Sequence, residues 1–414
     1  MSHPKKKKNI TPVVLVVLVV LGFFAVAFVA YLFSQKGSFL SEEIVRIEDA
    51  GATLVDKVIE TATPKPKLDV EDYNRRVLAL ANKSSAQASV STASTTPATT
   101  NLVTEVSKTE TSSEKKVVTN ALSTKIATGV ATSSADSVDI DNSPWPPEAP
   151  LPLYGAILPF KRIIAYYGNL YSTRMGVLGE YPEDVMLKML DDEVQKWEAA
   201  DPTTPVQPAL HHIASTAQVS PGKEGLYTLR MPDSEIDKII AMAEKSNSIV
   251  FLDLQIGLSD LKTEIPYLDK YLKMPNVHLG LDPEFSMKGG EVPGTVIGTM
   301  DATDINYAAN YLAEIVKENN LPPKILVVHR FTNKMLTNYQ DMKPLPEVQI
   351  VIEMDGWGSI ARKINTYKQV IYPEPVQFAG IKIFYKNDLK EGGDIMTPAD
   401  VLNLNPKPIY IQYQ

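Results

Sequence analysis

The sequence predicts an α/β chain whose bulk is a (β/α)8, TIM-like barrel, preceded by a single transmembrane helix and a disordered linker. Three observations carry that expectation. From residue 151 onward, apolar runs of strand length alternate with amphipathic stretches of helical period, seven or eight β-α units in about 260 residues. Residues 13–33, "VVLVVLVVLGFFAVAFVAYLF", form an uncharged apolar run. Between the two lies a tract rich in Ser, Thr, Ala and Pro.

Taken in order, the chain opens with a basic tail, residues 1–12, containing "KKKK". The apolar segment, residues 13–34, is long enough for the roughly 20 residues a bilayer core demands. The lysines before it place the N-terminus inside, so the expected location is the cell membrane, single-pass, with the C-terminal domain extracytoplasmic. A cleaved signal peptide is the alternative, with "AVA" at 25–27 as its cut site, but signal h-regions run only about 7–15 residues. Residues 35–83 carry two helix-spaced segments, 41–61 and 68–83, separated by "PKPK", and read as a juxtamembrane stalk. Residues 84–150 read as a linker that cannot bury enough apolar surface to order itself, closing in the stiff "SPWPPEAPLP".

Within 151–414 the strand candidates are 162–168, 205–213, 248–255, 277–284, 324–331, 348–355 and 378–385, with "TVIGTM" at 295–300 a weaker eighth. Helix signals occupy 182–200, 232–245 and 302–319, with proline and acids at their starts. The barrel is expected to be irregular between strands four and five, where "SMKGGEVPG" stands in place of a helix. Without "TVIGTM" the count falls to seven. An open doubly wound sheet is the other architecture, disfavoured because "YYGNLYSTRMGVLGE" after the first strand lacks a glycine-rich phosphate loop.

Composition narrows function. The 414 residues carry a net charge of −8, with no basic footprint for nucleic acid. Cysteine is absent, which removes disulfides, thiolate metal sites and a thiol nucleophile. No cofactor-binding motif occurs, so no cofactor and no metal site is expected.

The informative residues gather at the carboxyl ends of the strands. One parity is apolar, as in Leu252 and Leu254, Leu279 and Leu281, or Ile350, Ile352 and Met354. The other carries Asp253 and Gln255, His278, Asp282 and Glu284, His329, Glu353 and Asp355, and Lys382. In a barrel that second parity points inward, where reacting groups sit. Tyr167 ends the first strand, while His211 and His212 end the second on opposite parities. Asp282, Glu284, Glu353 and Asp355 are the candidate catalytic acids. Tyr167, His212, Asp253, Gln255, His329, Trp357 and Lys382 are the candidate substrate contacts. Trp357, with Phe285, Phe331 and Tyr385, supplies aromatic faces suited to sugar rings. An internal polar network, with Lys382 neutralising the acids, is the competing structural reading.

At "LDPEF" the chain resembles barrel glycosidases in which an Asp-x-Glu pair ends the fourth strand, as in chitinases and lysozyme-like muramidases. The resemblance implies that Glu284 is the general acid and Asp282 its electrostatic partner. The full chitinase pattern D-x-x-D-x-D-x-E is not present, since "NVHLGLDPE" matches only its last two acids. An acid on a seventh strand resembles a second glycosidase clan and implies Glu353 or Asp355 as nucleophile; that clan's Asn-Glu on strand four is missing. The segment 160–414, with "MGVLGEY", "GLYTLRM", "PPKILVVH", "MDGWG" and "MTPADVL", resembles a family of bacterial exported or membrane-anchored β/α-barrel proteins, a likeness that implies fold and location rather than chemistry.

The expected function is therefore a membrane-tethered glycoside hydrolase-like barrel acting on a cell-envelope glycan by two-carboxylate chemistry. A non-catalytic glycan- or peptide-binding surface module is the alternative. A metal-dependent phosphodiesterase is third: "VHRF" and the later "EMD" resemble the His-Arg-Gly and Glu-x-Asp motifs of glycerophosphodiester phosphodiesterases, with Phe331 replacing glycine. Clustered carboxylates would suit a hard cation there.

Overall fold

Eight parallel strands close on themselves in a computed structural model that describes residues 67–83 and 143–414. They are β1 (Arg162–Gly168), β2 (Val206–Ala217), β3 (Ile249–Leu254), β4 (Val277–Leu281), β5 (Lys324–Arg330), β6 (Val348–Met354), β7 (Phe378–Ile383) and β8 (Tyr410–Tyr413). Each pairs with the next, and β8 returns to β1 through Ile163 opposite Tyr410 and Tyr166 opposite Tyr413. Closure rules out both the open sheet and the seven-strand count. The eighth strand is the C-terminal "YIQY", not the 295–300 segment. Of that segment only Met300 enters a strand, pairing outside the barrel with Leu336.

The irregularity after β4 is a long loop rather than a lost helix. Pro283 starts a 3-10 turn at Pro283–Phe285, and the chain wanders to Met300 before entering its helix. Consequently β5 carries His329 and β6 carries Glu353, one place earlier than the sequence count put them. The resemblance to a clan with its acid on a seventh strand falls with that shift.

Helix α1 (Val70–Leu80) precedes the barrel. Helices α2 (Glu183–Ala200), α3 (Asp233–Lys245), α4 (Ala302–Asn319) and α5 (Ile360–Val370) cover its outside, with shorter turns between β3 and β4 and between β7 and β8. In α2 the buried residues Met186, Leu190, Glu193 and Trp197 recur at three to four positions, one stripe toward the strands. Asp301 and Asp304 close a capping box on α4, satisfying N–H groups the helix itself cannot bond. The outward strand parity, Leu252, Leu279, Ile350 and their neighbours, packs with Leu190, Ile239, Leu312 and Tyr367 of these helices.

Inside, the amino end of the barrel is apolar. Ile163, Ala165, Ala209, Phe251, Val327, Val351 and Tyr410 fill it. Helix α1 packs onto this end: Tyr73 is buried in that cluster, its ring 6.1 Å from Phe160, and Lys407 N–H donates to Leu80 O at 2.8 Å. Residues 68–83, read from sequence as part of a stalk, therefore belong to the barrel unit. So do the last residues of the expected linker, where Trp145 is buried and donates to Tyr372 O at 2.8 Å. The apolar run at 13–34, the first stalk segment and residues 84–142 lie outside the described residues. Among the described residues no helix is long and apolar enough to cross a membrane.

Candidate active site at the carboxyl end of the barrel

Polar residues on or just past several strand ends, among them Gln255, Asp282 and Asp355, gather at one mouth of the barrel. A cleft of about 570 Å³ sits there. Tyr167 comes from β1, Gln255 follows β3, Asp282 and Glu284 follow β4, Asp355 and Trp357 follow β6, and Lys382 is on β7. All seven were singled out from sequence.

Local structure explains how one pair reaches the cleft. Pro283 cannot continue the strand ladder, so β4 ends at Leu281. Asp282 Oδ1 then accepts the Glu284 N–H at 3.2 Å and caps the turn. Asp282 Oδ2 accepts from Gln255 Nε2 at 3.1 Å. Lys382 Nζ lies 3.8 Å from the centroid of the Tyr167 ring, a close cation–π contact between cleft wall and floor.

Beneath the floor lies a second layer. His211, Asp253, His329 and Glu353 are wholly shielded from solvent. His329 Nδ1 is 2.5 Å from Glu353 Oε2 and 3.7 Å from Asp355 Oδ2. The Nε2 atoms of His211 and His329 each stand 3.4 Å from Asp253 Oδ1. Tyr167 O–H donates to Asp253 Oδ2 at 3.0 Å and ties this layer to the cleft. Asp253, His329 and Glu353, expected from sequence to meet a substrate or react with it, are one layer too deep to do so. Glu353 is thereby separated from the nucleophile role, leaving Asp355 as the acid of that pair at the cleft.

His212 is elsewhere. On the opposite parity from His211, it sits between β2 and α3 with Nε2 3.7 Å from Glu235 Oε1, and burial depresses it to about 3. Tyr385 is also turned outward, its hydroxyl 3.0 Å from that of Tyr166. Phe384 lines the cleft in its place, together with Phe285, Phe331 and the half-exposed Trp357. Phe384 shares the parity of Lys382, and that alternation was the signal available in the sequence. Arg174, Thr216 and Arg362 also line the cleft. The two arginines come from polar segments beyond the strands, where no alternation marks them.

Charge in this low-dielectric space is uneven. Burial, reinforced by the charge on Asp355, pushes Glu284 up to about 7 against the opposing pull of Lys382 and His329. Burial holds Asp282 well above the usual carboxylate range, with His329 opposing and Asp253 adding to it. Burial raises Asp355 as well, and Lys382 and His329 oppose it. Burial alone would depress His329, yet Asp253 and Glu353 hold it well above its ordinary value.

No family model and no curated protein matches the chain. Among solved structures, the chain is similar to the cellulase Cel5C_n at 12% identity over 61% of this chain and 75% of that one, TM-score 0.35. It is similar to the C-terminal domain of ChiA from Legionella pneumophila at 12% identity over 61% and 92%, TM-score 0.34. A ruminal endo-β-1,4-mannanase follows at 11% identity over 61% and 59%, TM-score 0.30. These likenesses are of barrel to barrel, and the chemistry has to be argued from the side chains.

Proposed function

We propose that the barrel is a glycan-cleaving hydrolase of the two-carboxylate type. One observation carries the reading: Glu284 lies in a cleft of ligand-binding size beside Asp355, with its carboxyl pushed up to about 7. A carboxyl in that state is available as the proton donor that a glycosidic leaving oxygen needs at neutral pH. Glu284 O–H donates its proton to the bridging oxygen as the bond from that oxygen to the anomeric carbon breaks. The carbon, left electron-poor, takes its new bond either from an Asp355 oxygen or from a water whose proton Asp355 accepts. Asp282, fixed by Gln255 and by the Glu284 N–H, positions the turn that carries the donor. Trp357, Phe285 and Phe331 offer the faces on which sugar rings stack. The uncharged run at 13–34 and the lysines ahead of it support a tether that holds this activity at the outer face of a cell membrane, with an envelope glycan as substrate.

The phosphodiesterase reading loses its arginine. Arg330 is buried on the parity away from the cleft, bonded to carbonyls of Thr332 and Asn333 and paired with Glu374.

The test is a turnover screen over envelope and plant β- and α-glycans with wild type, Glu284→Gln and Asp355→Asn. Hydrolysis by wild type, lost in both variants without loss of melting temperature, supports the proposal. Binding without hydrolysis by wild type would make the barrel a glycan-recognition module. Full activity in Glu284→Gln would remove the assigned proton donor.

A further inference from the structure

We propose that His211, Asp253 and His329 bind one divalent transition-metal ion of the zinc class beneath the cleft floor. The three atoms that would hold it, His211 Nε2, Asp253 Oδ1 and His329 Nε2, lie within 4.8 Å of one another, and all three side chains are fully buried. None of the three atoms has a hydrogen-bond partner. Buried polar atoms without partners are costly, and three aimed at one point need a common explanation.

The spacing supplies one. Each Nε2 stands 3.4 Å from Asp253 Oδ1, beyond a good N–H···O bond. Ligands about 2.0–2.1 Å from a tetrahedral ion are separated by about 3.4 Å along each edge. Two of the three ligand separations match that edge.

The outer nitrogens agree. His329 Nδ1 stands 2.5 Å from Glu353 Oε2, a carboxylate–histidine contact of the kind that leaves the other ring nitrogen to face a metal. His211 Nδ1 lies 2.6 Å from the Tyr410 hydroxyl and 3.0 Å from Gln412 Nε2, which also donates to that hydroxyl oxygen at 2.8 Å. A divalent cation there would displace any proton on the two Nε2 atoms and satisfy all three unpartnered atoms with three bonds. Tyr167 O–H holds the second Asp253 oxygen at 3.0 Å, so the first stays aimed inward. The rings are also locked by packing: Phe251 stacks on His211 at 5.1 Å, and Tyr167 lies against both imidazoles.

The barrel is built to let these groups meet. Asp253 on β3 and His329 on β5 are separated by β4, whose inward residue opposite Asp253 is Gly280. A Cβ on Gly280 would lie 2.4 Å from both Asp253 Oδ1 and His211 Nε2, so any other residue would fill the space between the ligands. Charge balance points the same way. Asp253, Asp282, Glu353 and Asp355 are all buried near one another, and a divalent ion beside Lys382 offsets much of that negative charge. Three ligands leave a fourth position for water.

Elemental analysis of the full chain, purified from zinc-supplemented culture and dialysed, tests the assignment directly. We expect one zinc per chain, a lower melting temperature after chelation and its recovery with zinc alone. Cobalt(II) added to stripped protein should give the visible bands of a four-coordinate site. Glu353→Gln, which removes only the outer partner of His329, should weaken zinc binding about 10–100-fold. A folded wild type without metal, indifferent to chelator and colourless with cobalt, overturns the proposal. Full zinc content in Asp253→Asn overturns it too, because the ion then sits elsewhere. If Asp253→Asn does not fold, the wild-type metal content and the Glu353→Gln affinity decide.

Discussion

Glu284 illustrates how much a single carboxyl depends on what surrounds it. Burial and Asp355 raise it to about 7, while Lys382 and His329 pull the other way. If it is the proton donor, kcat/KM should fall on the alkaline side with an apparent pKa near 7. A profile without that limb would detach Glu284 from catalysis. Stability has its own sign. A carboxyl with a raised folded-state pKa favours the fold below its unfolded value, near 4.5, and that advantage is lost as pH rises through about 7. Glu284→Gln should therefore gain melting temperature relative to wild type between those two values, a comparison made by thermal scans across pH. Trp357 is 44% exposed, so Trp357→Ala should leave stability within about 0.5 kcal/mol while raising KM more than it lowers kcat. Equal losses in kcat and kcat/KM would instead place the indole at the transition state.

At the level of elements, the strands were legible where both faces had a reason to be specified. β1 was read to the residue, and β5 and β6 to within one, because their apolar parity meets helices and their inward parity meets either the interior cluster or the site. β8 was missed. Its four residues are too short to show alternation, and only pairing with β1 and β7 on both edges makes "YIQY" a strand. "TVIGTM" is richer in β-branched residues and yet has no vacant edge to join. Helix α1 shows the converse: its apolar stripe was read, but not what the stripe covers. Tyr73 is 5% exposed at the amino end of the barrel, so Tyr73→Ala should cost about 3 kcal/mol in denaturant unfolding. A cost near zero would return α1 to the role of a stalk. Removing residues 68–83 should destabilise more than that single truncation, since it uncovers Phe160 and strips Lys407 of its acceptor.

The whole molecule, on our reading, joins a membrane segment to a barrel through a long polar tract. Protease added to intact protoplasts should cut between residues 84 and 142 and release the barrel in soluble form. Protection of that tract would reverse the proposed topology. Closure of the barrel is what makes the candidate site. Tyr167, Asp282, Asp355 and Lys382 are spread over more than two hundred positions in the chain, and they share one cleft because the strands bearing or preceding them stand round one axis.

Alternation and helical period are local properties, so the sequence by itself determined the barrel class, most strands, the inward parity and the acids at the strand ends. Depth is not local. Glu353 and Asp355 share a parity two residues apart, yet one is sealed against His329 while the other opens on the cleft, because the strand ends between them. His211 and His212 are adjacent in sequence, and only the wall of the barrel puts one at the centre and the other under a helix. Which side chains stand 3.4 Å apart across Gly280 depends on the stagger of three strands, and no single stretch of chain records it. Tertiary structure decided those matters because they are relations between strands, set by closure and packing rather than by any residue's own preference.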